Sequence, residues 1–206
     1  MFNPDKLLRA CPSCVAEDVN KRSFSYWRRS HQVPGRVACA VHGSALWTTA
    51  EPELAPSGPE DVSESSRPFE EVAFRRLANN AFVSRALAIL DTIMLESLHI
   101  DWDACNRALR KAMIDGVDDR SSALSMHAIS TLIETAFTMD WLTYAKPGAS
   151  LTSGGTHTFV AHCLYEKTEY APYVSMAVVA SFLFPTAEAA LREMGARSLH
   201  AAACKT

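Results

Sequence analysis

The sequence has no long hydrophobic run and no N-terminal pattern typical of a secreted protein. No apolar stretch reaches about 18 uncharged residues, which argues against a membrane-spanning helix. The longest apolar candidate, 171–185, is short and is better interpreted as a buried helix. No basic segment followed by an apolar stretch opens the chain, so we expect no signal peptide. With reduced thiols, these absences predict a cytoplasmic protein that has no membrane partner.

The sequence also lacks the short motifs that identify common catalytic sites. It contains no Gly-x-Ser-x-Gly elbow and no His-Glu-x-x-His motif, and no Gly-Lys-Ser/Thr follows the glycine pair at 154–155. Asp118 and Asp119 are adjacent, whereas a strand-transfer site needs carboxylates from separate elements that hold two metal ions. His157 and His162 would lie on divergent faces of a helix. We therefore expect no enzymatic activity.

Net charge is small, and its distribution is uneven. The formal net charge of −3 argues against a protein that coats nucleic acid. Residues 1–50 hold seven Lys and Arg against three Asp and Glu, a balance of +4, which leaves −7 for the rest of the chain. The basic N-terminal end is therefore the natural place for contacts with phosphate.

Composition divides the 206 residues into three parts, since the chain is long enough for one ordinary domain and a small module. The middle part is rich in Pro, Ser, Gly and acidic residues, and its four prolines prevent a continuous helix. We predict a small module at 1–47, an acidic Pro/Ser-rich linker at 48–68 and a helical domain at 69–206. The linker is interpreted as a solvated spacer, with an interaction tail as the alternative.

Three of the six cysteines belong to one pattern. Cys11 and Cys14 form a C-x-x-C pair, and Cys39 and His42 form a C-x-x-H pair after 24 intervening residues. A two-residue spacer lets a tight turn aim both donors at one point, and zinc takes four such donors in a tetrahedron. The spacing predicts one structural zinc ion without an open position, which makes 1–47 a zinc-binding module. The alternative is a set of unrelated buried residues, because cysteine is a frequent core residue.

The remaining cysteines are scattered along the chain, which argues against a disulfide framework: Cys105, Cys163 and Cys204. The first fifty residues are too few to build a core alone, so we expect this segment to be disordered without metal. We expect a ribbon of short strands with a helical stretch near 25–31. Tyr26 and Trp27 could stack on bases, but we favour a role in the small core of the module. His31 is interpreted as a hydrogen-bonding structural histidine.

The residues between the two pairs resemble a known family. The run Tyr26-Trp27-Arg28-Arg29 is followed by His31-Gln32 and Pro34-Gly35, between C-P-x-C and C-x-x-H-G. This order resembles the zinc-binding motif of the TniQ/TnsD family over about 8–47. Members of that family select target sites for transposons that carry a separate transposase and an AAA+ ATPase.

The resemblance implies a non-enzymatic adaptor in DNA transposition. It would contact DNA or a guide RNA–protein complex on one side and the AAA+ transposition ATPase on the other. Residues of the module that we expect to contact phosphate or a partner are basic: Arg28, Arg29, Arg36, Lys21 and Arg22. A solvated basic surface is the alternative for these residues. For the whole protein, the alternatives are a stand-alone DNA-binding zinc protein, such as a small regulator, and a purely protein-binding helical module.

Beyond the linker, apolar residues recur at three- and four-residue steps, which is typical of helices. Asp101 and Thr186 are predicted N-caps. The break near 184–188 could belong to a helix-turn-helix, with ordinary antiparallel packing as the alternative. The predicted fold is mainly α, with a small zinc-ribbon-like module before an all-α bundle. The predicted helices are 69–98, 101–114, 122–144, 157–169, 172–184 and 186–195.

Overall fold

The N-terminal part of the chain is built around one helix and a minimal sheet in this computed structural model. The structure describes residues 8–48, 58–61, 70–96, 98–115, 126–145, 158–165 and 173–198. Contacts divide the chain into two units, Met1–Asn79 and Asn80–Thr206. The predicted boundary between linker and helical domain, at 68–69, lies outside the described residues and stays a prediction.

The first unit begins with a two-stranded sheet that joins the two ends of the module. Strand β1 (Arg9–Ala10) pairs antiparallel with β2 (Trp47–Thr48), with Arg9 opposite Thr48. Between them lie helix α1 (Pro12–Arg22) and a 3-10 turn at Arg29–His31. A second 3-10 turn, Pro59–Asp61, and helix α2 (Glu71–Ala78) complete the described part of this unit.

Helix α1 corrects the predicted local structure of the module, because the helix lies at 12–22 and only Arg29–His31 is helical within 25–31. Pro12 occupies the start of α1, where its fixed φ suits a helix and its missing N–H is not needed. Only Cys14 and Asp18 are buried along α1. The helix was not predicted because it does not show a dominant apolar face toward the core.

The core of the module consists of small aliphatic residues around the cysteines. Val33, Val37 and Leu46 are fully buried. The predicted role of Tyr26 in this core is wrong, since its side chain lies at the surface with 44% exposure, and Trp27 is half-buried. The aliphatic residues close to the cysteines leave no need for a large ring at the centre.

The second unit is helical, which confirms the predicted fold class. Its described elements are α3 (Ala81–Leu95), β3 (Leu98–His99), α4 (Trp102–Asp115), α5 (Met126–Phe137), α6 (Met139–Ala145), α7 (Thr158–Tyr165), α8 (Tyr173–Leu183), α9 (Ala187–Glu193) and β4 (Arg197–Ser198). Helix α8 is buried from Val174 to Ser181 and packs against α3, α4, α5, α7 and α9. The strongly apolar segment predicted as a buried helix is therefore the centre of this unit. Strands β3 and β4 pair antiparallel at its edge.

Two of the predicted helices are broken in the structure. The helix expected at 69–98 divides at Asn79–Asn80, because the Asn80 side chain accepts hydrogen bonds from the N–H groups of Phe82 (2.9 Å) and Val83 (3.0 Å). Asparagine is among the best N-caps, so a new helix starts there. The helix expected at 122–144 divides at Thr138, whose φ of 64° is left-handed.

The other predicted helix boundaries agree with the structure where it is described. Asp101 Oδ1 accepts the N–H of Ala104 at 3.1 Å, and Thr186 Oγ1 accepts the N–H of Ala189 at 3.1 Å, which confirms both predicted N-caps. The predicted segments 122–125 and 166–169 lie outside the described residues. Among the described helices, none is by itself long and apolar enough to span a membrane; α8 and α9 reach that length only as a pair bent by 112°.

Candidate metal centre

The first donor pair is held by the start of α1. Cys11 is the N-cap residue, with an extended backbone, and Cys14 lies in the first helical turn. The carbonyl of Cys11 accepts the N–H of Val15 at 2.9 Å, which closes that turn. One helical turn thus presents both sulfur atoms on the same side.

The second donor pair lies in the loop of a short hairpin. The N–H of Leu46 donates to Val37 O at 2.9 Å, and Ala38 and Ala45 form an antiparallel bridge. The loop is closed by two further bonds, from the N–H of Cys39 to Ser44 O and from the N–H of Gly43 to Cys39 O, both 2.9 Å. Gly43 has a φ of 64°, which explains the glycine after the histidine, because other residues are strained there.

The four predicted metal ligands converge on one point. Their donor atoms all lie within 4.8 Å of one another. His42 Nδ1 is 3.3 Å from the sulfur of Cys14, 3.5 Å from that of Cys11 and 3.7 Å from that of Cys39. The sulfur atoms of Cys14 and Cys39 are 3.7 Å apart. The three cysteines are buried and the histidine is half-buried. This arrangement is a possible metal site.

Glu17 orients the histidine, although no sequence motif had pointed to it. Its Oε1 lies 3.0 Å from His42 Nε2. This hydrogen bond, with smaller contributions from the thiols, raises the pKa of His42 to about 9, and it lowers the pKa of Glu17. With Nε2 bonded to the carboxylate, Nδ1 faces the sulfur atoms. Carboxylates commonly hold metal-binding histidines in this way.

The thiols have opposite pKa shifts, as expected for donors that share one site. Burial opposes ionisation of Cys11, but hydrogen bonds, above all from Ser44, outweigh it and lower its pKa to about 7. Burial and the neighbouring thiols raise the pKa of Cys14 to about 12. One thiolate therefore suppresses the next, and a cation at the centre would relieve that repulsion.

His31 lies beside the four donors without joining them. Its side chain is buried, with Nε2 at 3.8 Å from the sulfur of Cys14. Burial lowers the pKa of His31 to about 4, and the nearby charges of Arg28 and Arg36 act in the same direction. This geometry agrees with the predicted structural role of a hydrogen-bonding histidine.

Arg28, a predicted phosphate contact, forms an ion pair within the module. Its guanidinium donates to both carboxylate oxygens of the buried Asp18, at 2.9 and 3.2 Å, and this pairing raises the pKa of Arg28. Arg22 donates to Asp18 Oδ1 at 3.1 Å. The guanidinium carbons of Arg22 and Arg28 lie 5.5 and 5.7 Å from the centre of the Tyr26 ring. Asp18 thus organises a basic and aromatic cluster at the end of α1.

The other predicted contact residues differ in exposure. Arg36 is buried, with 6% of its surface exposed. Lys21, Arg22 and Arg29 lie at the surface. The five basic residues therefore do not form one uniform surface.

Arg9 and Gln32 join the loop to strand β1, and neither was assigned a function from the sequence. Gln32 accepts the N–H of Arg9 at 3.0 Å and donates to the carbonyls of Arg9 at 2.8 Å and Arg28 at 3.2 Å. The Arg9 guanidinium donates to the carbonyls of His31 and Val33. The glutamine of the His-Gln motif was visible in the sequence, but its partner 23 residues away was not.

Comparison with known proteins supports the resemblance of this module. The TniQ family model matches residues 3–46, which is less than a quarter of the chain and includes all four converging donors. No curated protein and no solved structure matches the chain. The TniQ domain associates the protein with transposition.

Proposed function

We propose that this protein is a zinc-binding adaptor for target-site selection in DNA transposition, on the basis of the match of the TniQ family model to residues 3–46. It would bridge DNA or a guide RNA–protein complex and an AAA+ transposition ATPase. The observation that carries this proposal is the family match over the segment in which the four donors meet. The proposed role is non-catalytic.

The proposed ion is zinc, in a structural role. A tetrahedral zinc ion with Zn–S of about 2.3 Å and Zn–N of about 2.0 Å would hold two sulfur atoms about 3.8 Å apart and sulfur and nitrogen about 3.5 Å apart. The distance of 3.7 Å between the sulfur atoms of Cys14 and Cys39 and the sulfur–nitrogen distances of 3.3–3.7 Å agree with that geometry, and all donor atoms lie within 4.8 Å of one another. Thiolate donors favour zinc over harder cations. Since the protein supplies all four donors, the ion would hold the loop in shape and leave no position for a reactive water.

The proposed nucleic-acid contacts lie at the C-terminal end of α1 and in the loop that follows it. Lys21, Arg22 and Arg29 lie at the surface and can reach phosphates. Phe24 and Tyr26, at 59% and 44% exposure, offer rings on which bases can stack. Arg28 is a weaker candidate for direct contact than Arg22, which also pairs with Asp18, because Arg28 bonds both carboxylate oxygens and its side chain is 23% exposed against 50% for Arg22. Arg36 is a weaker candidate because it is buried. The proposed part of Arg28 and Arg36 is to support the surface.

DNA binding as a function of salt concentration tests these contacts. The triple variant Lys21→Ala, Arg22→Ala, Arg29→Ala should bind DNA more weakly, and its salt slope should fall by about 0.9 for each phosphate that the protein no longer neutralises. The matched control removes three arginines elsewhere: Arg75→Ala, Arg76→Ala and Arg192→Ala. Equal loss of affinity in both triple variants would indicate that DNA binding depends on the overall charge of the protein and not on these three residues. Unchanged affinity and slope in the first variant would exclude these residues as contacts.

The adaptor role is tested with the neighbouring genes and their products. We expect an AAA+ ATPase and a transposase to be encoded beside this protein, and the purified ATPase to bind it. DNA binding without ATPase binding would favour the stand-alone regulator. ATPase or other protein binding without any DNA binding would favour the purely protein-binding module.

A further inference from the structure

Helix α1 carries a second organised face, on the side away from the metal centre. Cys14 and Asp18 define the buried side. The opposite stripe follows steps of three and four residues, as one face of a helix does. It includes Val19, which keeps 40% exposure. The stripe consists of Pro12, Val15, Ala16, Val19 and Asn20.

This stripe forms the floor of a groove, of which about 410 Å³ is open beside the 3-10 turn at Pro59–Asp61. Ala10 and Trp47, from the paired strands β1 and β2, line one part of it. Pro59 and Glu60, from the 3-10 turn, line another. The groove is thus mainly apolar, and the indole of Trp47 and the ring of Pro59 form parts of its wall.

The turn at 58–61 packs into one side of this groove, although its composition predicts a solvated segment. Gly58 and Pro59 are buried, and the turn packs against α1. A proline ring has a restricted backbone, so it loses little conformational entropy on docking. Proline-rich segments dock in aromatic-lined grooves for the same entropic reason, although in an extended conformation, whereas Pro59 opens a 3-10 turn. The contact of the turn with α1 thus shares the low entropic cost of such a segment.

We propose that the groove along α1 is a docking site for a proline-bearing acidic segment, and that the turn at 58–61 is its resident occupant. A partner segment of the same chemistry would bind only when the turn leaves. The acidic character of the proposed segment is taken from the turn itself, since Glu60 and Asp61 follow the proline in the sequence. The inference is independent of the DNA contacts and of the identity of the metal.

Competition by a peptide added to the full chain tests the inference. The probe is a fluorescein-labelled peptide of residues 55–64, and fluorescence anisotropy measures its binding to the wild type and to Pro59→Ala. A tethered segment acts at an effective concentration on the order of millimolar. If its Kd for the groove is about 0.1 mM, it weakens binding of the added peptide about tenfold. The peptide should therefore bind Pro59→Ala about tenfold more tightly than the wild type.

Three controls assign that effect to the groove. Pro185→Ala, at an exposed proline of the helical unit, should bind the peptide as the wild type does. A peptide with alanine in place of its Pro59 should not bind either chain. Adding Val19→Glu to Pro59→Ala should abolish binding, and because Val19 is partly exposed, metal content should stay unchanged as evidence that the module is folded.

The results that would overturn the inference are equally definite. Equal affinity of the wild type and Pro59→Ala, absence of binding to both, or binding that survives Val19→Glu would each exclude the turn as a resident ligand of this groove. Self-association of Pro59→Ala in analytical ultracentrifugation would assign the groove to a second copy of the chain instead.

Discussion

The helical unit and the metal module bury different kinds of residues. The largest fully buried side chains of the helical unit are aromatic or long aliphatic groups, including Trp141, Phe137 and Phe159. Trp141 stacks on Phe137 with 5.1 Å between ring centres. The described part of the module has no fully buried aromatic ring; it buries cysteines, a few aliphatic residues and polar or charged ones such as Asp18, His31 and Arg36.

This difference indicates how each unit is stabilised. Burial of a large apolar side chain contributes about 1.5–3 kcal/mol, so the helical unit can be held by its own packing. The module has few such groups, and burying its polar side chains has a cost unless each finds a partner. Asp18 finds Arg22 and Arg28. We infer that much of the remaining stability comes from an ion bound where the four donors meet, because metal binding contributes directly to folding.

Removal of the metal should have the largest effect and should separate the two units most clearly. Chelation, or Cys39→Ser, should unfold the module, because such ions contribute roughly 10–16 kcal/mol to folding. Hydrogen exchange should show loss of protection in α1, while α3 and α8 stay protected. Cys105→Ala, at a buried cysteine outside the four-donor group, is the matched control and should retain one ion in elemental analysis. If α1 stays protected without metal, the module does not depend on the ion for its fold, and the contrast between the two units is wrong.

Truncation of a buried aromatic side chain should destabilise the helical unit and leave the metal module unchanged. Trp141→Ala should lower the free energy of unfolding of the helical unit by about 3–5 kcal/mol, because it removes a fully buried ring and leaves a cavity. Denaturant unfolding followed by circular dichroism measures this loss, and metal content should not change. Trp102→Ala, at a half-buried tryptophan, should cost less. Equal losses would mean that burial does not explain the stability of this unit.

Removal of the carboxylate behind His42 should have a moderate effect that is confined to the module. Glu17→Ala should weaken metal affinity by about 10- to 100-fold, because the histidine ring is no longer held in place. Competition with a chelator of known affinity measures this change. Glu71→Ala, at an exposed glutamate of α2, should leave metal affinity as it is in the wild type. If Glu17→Ala leaves metal affinity unchanged, the 3.0 Å bond between Glu17 and His42 does not help to hold the histidine for metal binding.

The smallest expected effect concerns the cap that begins α3. Asn80→Ala should lower the stability of the helical unit by about 1 kcal/mol for the lost cap. A further small loss is expected because Asn80 Nδ2 also donates to Ala136 O at 2.7 Å. Thr186→Ala removes the cap of α9. The Thr186 side chain also bonds that of Glu188, but this bond is exposed and lies within the same helix start, so thermal or chemical unfolding should show the smaller loss for that variant. The reverse order would mean that the link to Ala136 contributes nothing.

Much of the candidate site was predictable because its information is local. The C-x-x-C and C-x-x-H pairs each sit in a single turn, so spacing alone indicated which four residues converge. The same holds for the caps at Asp101 and Thr186 and for the buried helix α8, which depend on neighbours within a few residues. These predictions rest on propensities and periodicity that need no distant partner.

Other features depended on residues far apart in the chain. Glu17 meets His42 across 25 residues, and Gln32 meets Arg9 across 23. The exposure of Tyr26 and the two faces of α1 likewise follow from what packs beside them. The sequence by itself determined the donors and most helices, because hydrogen bonding and spacing within one turn are local. Only the tertiary structure decided which carboxylate holds the histidine, which arginines are paired and where a groove remains, since those contacts form only after distant segments meet.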